Sequence, residues 1–225
     1  MYNILILAGP SAAGKTTVAE ALLSDTSSSF ELVRSLTTRK RRSDGFDDEY
    51  LYTDREGFEK TLLEDGILEY TEYAGEMYGT PRSEIERISR EGKIPLLILD
   101  MNGVRSLKAR EDILNVCAMY IYCDPHVLEK RLALRYLSEG SGDADKTRYE
   151  KRIAQNARDF SKMPENAELF YALLENEGRV EDTSEIVLRL FDGFLHGAPK
   201  DSRLNLEKAE KIKKSSQLKE KNNEK

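Results

Sequence analysis

The chain has 225 residues, of which 39% are hydrophobic and 34% charged, and its formal net charge is −6. That length suits one α/β domain with small inserts, and no apolar run approaches the length of a membrane span. From Lys200 onward nine Lys or Arg oppose five Asp or Glu, so the tail carries +4 and the rest −10, an acidic body that argues against a nucleic-acid-binding surface.

Asn3 to Ala8 is short and apolar on both faces, the pattern of a buried parallel strand. It begins too early to leave room for a signal peptide. It runs into Gly9-Pro10-Ser11-Ala12-Ala13-Gly14-Lys15-Thr16-Thr17 and then a helix from Thr17 to Ser24. Strand, glycine loop with Lys-Thr, then helix is the context in which this spacing binds a nucleoside triphosphate. Gly9 and Gly14 let the loop curl so that backbone N–H groups point at one phosphate. The helix adds its positive dipole end. Lys15 supplies charge for the β and γ phosphates, and the Thr16 hydroxyl suits a magnesium ion.

Leu32 to Ser35 predicts a short strand leading into a basic loop with Arg39 and Arg42. Two arginines three apart can fork around a phosphate, with Ser35 and Tyr50 completing the shell; a solvated basic loop reads equally well. Tyr50 to Tyr52 is strand-like. Asp54 to Glu64 is helical, with Phe58, Leu62 and Leu63 at helical spacing. Ile67 to Tyr73 alternates like a half-exposed strand. Ser83 to Glu91 is a helix, and Ile94 to Leu99 an apolar strand ended by Asp100. Ligands bind at the carboxyl ends of strands in open α/β sheets. Two carboxylates such as Glu69 and Asp100 can accept from the adjacent donors of guanine, and a hydroxyl such as Thr80 can donate to its carbonyl. From spacing alone Glu69 also fits a solvated strand position.

Val104 to Arg110 predicts a short helix and Val116 to Cys123 a third core strand. Cys117 and Cys123 are the only cysteines and read as buried reduced thiols, which points to a cytoplasmic compartment. A helix from Pro125 to Tyr136 carries Arg131 and Arg135 on one face. Leu137 to Lys146 has the composition of a mobile loop, and Thr147 to Ser161 is a charged helix with Arg148, Arg152 and Arg158. Arginines around a hinged lid can neutralise a moving phosphoryl group; they can also form a solvated face paired with Glu129, Glu150 and Asp159. Leu169 to Leu174 is a last strand and Ser184 to Phe194 a last helix. Strands alternating with helices imply a parallel sheet with right-handed crossovers. From Gly197 apolar periodicity ends, so residues 197–225 are expected to be a charged, solvated tail.

Taken in order, GPSAAGKTT, SLTTRKRR, YLY, ILEYTEYAGEMYGTP, LDMNGV, RLALR and KRIAQNA resemble guanylate kinase, over roughly Ile4 to Phe194. The TTRxxR and YGTP elements are specific to that family. The resemblance implies an α/β fold: a P-loop NTPase core with a parallel five-stranded sheet flanked by helices, a small GMP-binding β-rich insert and a helical lid. The core would comprise residues 1–34, 82–136 and 162–196, the insert 35–81 and the lid 137–161. The activity implied is transfer of the γ-phosphoryl of ATP to GMP or dGMP, giving ADP and GDP.

Residue by residue, the resemblance implies that Ser35, Arg39, Arg42, Tyr50 and Tyr78 hold the GMP phosphate and that Glu69, Thr80 and Asp100 read guanine. Gly9, Pro10, Ser11, Ala12, Ala13, Gly14, Lys15, Thr16 and Thr17, with Arg135 and Asn176, would bind ATP. Lys15, Arg39, Arg131 and Arg152 would act on the transferred phosphoryl, and Thr16 would reach Mg²⁺. The partners implied are ATP and GMP, for a monomer or homodimer with no nucleic acid and no membrane. The chain departs from the family pattern at Ala12, where Gly is usual, and at Ile98, where an acid is usual. Residues 42–50 are one shorter than usual, and the lid is longer than expected. Two other readings are a P-loop kinase acting on a ribose bisphosphate and a non-catalytic protein-binding module. The first should lack Glu69, Thr80 and Asp100; the second should lack Gly14, Lys15 and Thr16.

Overall fold

A computed structural model describes residues 1–25, 29–41, 50–73, 75–110, 114–137 and 142–223. The expected α/β class is what it shows. A five-stranded parallel sheet has the order β2-β7-β1-β8-β9, from β1 (Tyr2–Ala8), β2 (Phe30–Leu32), β7 (Ile94–Ile98), β8 (Leu114–Tyr122) and β9 (Ala172–Glu175). A second sheet of four strands has the order β4-β3-β6-β5, from β3 (Ser35–Thr37), β4 (Tyr50–Tyr52), β5 (Ile67–Tyr73) and β6 (Glu76–Pro81). Ile4 to Ala8 are fully buried, as an apolar run on both faces requires. Among the described residues no helix is long and apolar enough to cross a membrane.

The chain divides into two compact units, Met1–Ile6 with Leu22–Cys117 and Leu7–Ala21 with Ala118–Lys225. In the first, α2 (Arg55–Leu63) buries Phe58 with Ile67 and Met77 beneath the four-stranded sheet, and Leu36 and Leu62 pack around them. Asp54 caps α2 by accepting from the Gly57 N–H at 2.7 Å. Helix α3 (Arg82–Arg90) turns Ile85 and Ile88 inward, and α4 (Met101–Lys108) starts three residues before the expected helix. The start is set by Asp100, whose Oδ1 accepts from the Gly103 N–H at 2.9 Å. The single strand expected over Leu32 to Ser35 is two strands of different sheets. Val33 still donates to Leu96 O (2.9 Å), but Arg34 turns to pair with Glu84, and the chain leaves one sheet for the other.

The second unit holds α1 (Lys15–Ser24) as far as Ala21, and α5 (Pro125–Tyr136), α6 (Asp143–Ser161), α7 (Met163–Asn166), α8 (Val180–Leu195) and α9 (Ser202–Asn223). Helix α9 corrects the expectation of a solvated tail. Asn205, Ala209, Ile212 and Ser216 form a buried stripe at helical spacing, and α9 packs on α5, α6, α7 and β9. β9 is the edge strand of its sheet. Asn205 Oδ1 accepts from the Leu173 N–H (3.3 Å), its Nδ2 donates to Phe170 O (3.0 Å), and Lys208 Nζ donates to Leu173 O (2.8 Å). The helix therefore satisfies strand groups that would otherwise invite another chain. Its stripe is mostly small or polar, which is why apolar periodicity did not reveal it.

Candidate active site

The glycine loop in the second unit is held open by its carbonyls. Lys15 Nζ donates to Gly9 O (2.8 Å) and Pro10 O (2.7 Å). Asn156 Nδ2 donates to Ser11 O (3.1 Å), Arg131 Nη1 to Ala12 O (3.3 Å) and Asn176 Nδ2 to Ala13 O (2.8 Å). Five consecutive carbonyls thus have donors, while the first N–H groups of α1 have no partner within the helix. A pocket of about 180 Å³ is lined there by Ser11, Ala12, Gly14, Lys15, Thr16, Thr17, Arg135, Tyr136 and Arg152. Its donors and cations suit a polyphosphate.

The glycines are dictated by contact. A Cβ on Gly9 would lie 2.0 Å from Ile121 O, and one on Gly14 2.4 Å from Asn176 Nδ2; both have positive φ. Ala12 also lies in the left-handed region, with φ 67°, at a cost of about 1–2 kcal/mol for an L-residue. Burial first, with Arg152 and Arg135 beside it, lowers the Lys15 pKa to about 8 against the opposing pull of Asp159 and Cys123. The loop's cation is therefore lost as pH rises through about 8 in the free protein. An anion bound in the pocket would favour the charged form and raise this pKa. We expect kcat/KM for ATP to fall above about pH 8, and the limb in kcat, which reports the bound form, to lie at higher pH. Coincident limbs in the two profiles would contradict this assignment.

Arg131 also donates to Cys123 Sγ (3.2 Å) and Asn176 O (3.3 Å), and Arg152 Nη1 reaches Ser11 Oγ at 3.3 Å. A neighbouring cleft of about 300 Å³ is lined by Ala12, Gly14, Thr17, Arg131, Arg135, Asn176, Gly178 and Val180. The Asn176 amide is already committed, since its Oδ1 accepts from Thr183 Oγ1 at 2.9 Å. It braces the loop while lining the cleft. Asn156 and Thr183 were not singled out in the sequence. Asn156 stands one helical turn after Arg152, and that spacing was the available signal.

In the first unit, strand register assembles a second group. Ser35 pairs with Tyr50, Thr37 with Tyr78, and Glu69 with Thr80. Arg39 Nη2 donates to Tyr52 OH (3.1 Å) and its guanidinium lies 4.8 Å from the Tyr50 ring centroid. The Tyr50 and Tyr78 rings meet edge-on at 6.1 Å. Tyr52 was not anticipated as part of this set. Arg42 lies outside the described residues. Thr80, buried, donates from Oγ1 to Glu69 Oε1 at 2.6 Å. In the free protein the Thr80 proton is thus committed to Glu69, which differs from its expected role as a donor to a base. Burial raises the Glu69 pKa, and the nearby Asp100 charge adds to the shift against the Thr80 bond. Ile98 is the last residue of β7. Among the described residues no group of three or more His, Cys, Asp or Glu could hold a metal. Both cysteines are free and buried.

The guanylate kinase family model matches residues 1–193. The guanylate kinase of Latilactobacillus sakei is 34% identical over 177 residues, covering 77% of this chain and 81% of that protein. The guanylate kinase of Lactobacillus johnsonii is 34% identical over 144 residues, 64% of this chain and 68% of that one. A crystal structure of guanylate kinase from Anaplasma phagocytophilum has the same fold, with a TM-score of 0.60, 24% identity and 85% of each chain covered.

Proposed function

This chain belongs to the guanylate kinase family, and from that premise we propose how its residues move the γ-phosphoryl of ATP onto GMP. The enzyme takes ATP and GMP and returns ADP and GDP; the ribose bisphosphate and protein-binding readings give way to this one. Transfer is direct and in line, because the GMP phosphate is itself the nucleophile.

The grouping of Glu69, Thr80 and Asp100 carries the choice of acceptor. Thr80 orients Glu69. Asp100 spends Oδ1 on its cap and keeps Oδ2 for a ligand. Two carboxylates accept from the two adjacent donors of guanine, a pattern adenine does not offer. Ser35, Arg39, Tyr50, Tyr78 and Arg42 hold the GMP phosphate, with Arg39 set in place by Tyr50 and Tyr52. Residues 35–81 are then the GMP-binding part, and residues 137–161, with Arg152, the lid.

Gly9 to Thr17 bind the ATP phosphates through backbone N–H groups, and Lys15, Arg131, Arg135 and Arg152 offset developing charge. The 300 Å³ cleft beside Asn176 receives the adenine. Thr16, exposed at the first turn of α1 in the phosphate pocket, fits a magnesium ion that needs few protein ligands beside the nucleotide. Bound magnesium would neutralise charge on the β and γ oxygens. ADP release from ATP that requires GMP, and that a chelator abolishes, tests this reading. ADP release indifferent to GMP would contradict it.

A further inference from the structure

Asn156 binds the Ser11 peptide as a neighbouring strand would. Its Oδ1 accepts from the Ser11 N–H at 2.8 Å and its Nδ2 donates to the Ser11 carbonyl at 3.1 Å. Residues of paired strands exchange bonds in the same reciprocal way. A carboxamide is the side-chain group with a donor and an acceptor side by side for this. Asn156 is 5% exposed, so water competes little for either bond.

The next residue is Ala12, with φ 67°. The Ser11 carbonyl belongs to the peptide plane before the Ala12 Cα, and the Ala12 carbonyl to the plane after it. Asn156 holds the first plane and Arg131 the second. Both torsions of a residue in an unfavourable conformation are therefore held from outside the loop, beside the loop's own long turn bond from the Ala13 N–H to Pro10 O (3.3 Å). Released, Ala12 would relax toward negative φ and turn neighbouring peptide groups with it.

We propose that Asn156 is a positioning residue for ATP: by holding the Ser11 peptide it keeps Ala12 left-handed and the loop shaped for phosphates. This rests on the loop binding ATP as inferred above, and GMP-dependent ADP release by the parent enzyme checks that separately.

The test is a cycle of Asn156→Ala in the parent and in an Ala12→Gly background, with KM for ATP, KM for GMP, kcat and Tm measured throughout. Asn156→Ala is expected to raise the KM for ATP about tenfold and to leave the KM for GMP unmoved. With glycine at position 12, which needs no outside support for a positive φ, the same substitution should cost a small fraction of that. Asn156→Asp, which keeps an acceptor but loses the donor to Ser11 O, should likewise raise the KM for ATP, and it replaces Asn156→Ala in the cycle should that variant not fold. An unchanged KM for ATP, a parallel rise in both KM values, or an equal cost in the two backgrounds would overturn the proposal.

Discussion

Replacing Lys15 with alanine is expected to lower kcat by at least about a hundredfold, the scale on which one preorganised donor to developing charge acts. Lys15 has two tasks. In the free loop its ammonium ties Gly9 O and Pro10 O at 2.8 and 2.7 Å. In turnover it supplies charge to the β and γ phosphates. Burial strips part of its hydration, the main cause of its lowered pKa, so less water has to be displaced when phosphate arrives. Alanine removes the cation, takes the lysine donor from Gly9 O, and leaves Pro10 O with the Ala13 N–H at 3.3 Å. Measured at saturating ATP and GMP, with folding checked by circular dichroism, the variant should keep its fold and lose turnover. A kcat near that of the parent would remove Lys15 from the transfer.

The second large effect is expected at Glu69. Glu69→Gln should raise the KM for GMP by about tenfold or more, the range for a lost hydrogen bond to a charged group. Thr80 Oγ1 donates to Glu69 Oε1 at 2.6 Å. That hydroxyl will hold the oxygen of a glutamine and turn its NH₂ toward the base, so a donor meets a donor. The charge beside Asp100 is lost too, which relieves repulsion in the free protein and softens the penalty. Steady-state kinetics with GMP varied at saturating ATP measures this. An unchanged KM would contradict base reading by Glu69.

The phosphate loop was legible because its parts are contiguous. Gly9, Gly14, Lys15 and Thr16 act within one turn of chain, and local spacing encodes them. Residue chemistry offered the GMP group only as one of two readings, and resemblance decided between them, because strand register assembles the group. Ser35 meets Tyr50, and Glu69 meets Thr80, across distances that no local pattern records. Strand β6 gave no alternation to read, because Gly79 and Thr80 are buried beside Met77 and Pro81. Asn156 was passed over because an asparagine on a charged helix looks solvated, whereas here it replaces a strand partner. Helix α9 was hidden for a related reason: Asn205 is buried by bonds to backbone, and hydropathy counts it as exposed. The departure at Ala12 was visible in sequence, but its left-handed backbone and the bonds that hold it were not.

The most direct test of the account is acceptor preference in a coupled ADP-release assay with ATP and Mg²⁺, comparing GMP, AMP, UMP, CMP and ribose 1,5-bisphosphate. A strong preference for GMP in kcat/KM is the predicted result. It would show that Glu69 and Asp100 read guanine and that transfer proceeds with Ile98 in place of an acid. Equal use of AMP, or activity confined to the sugar phosphate, would contradict the account.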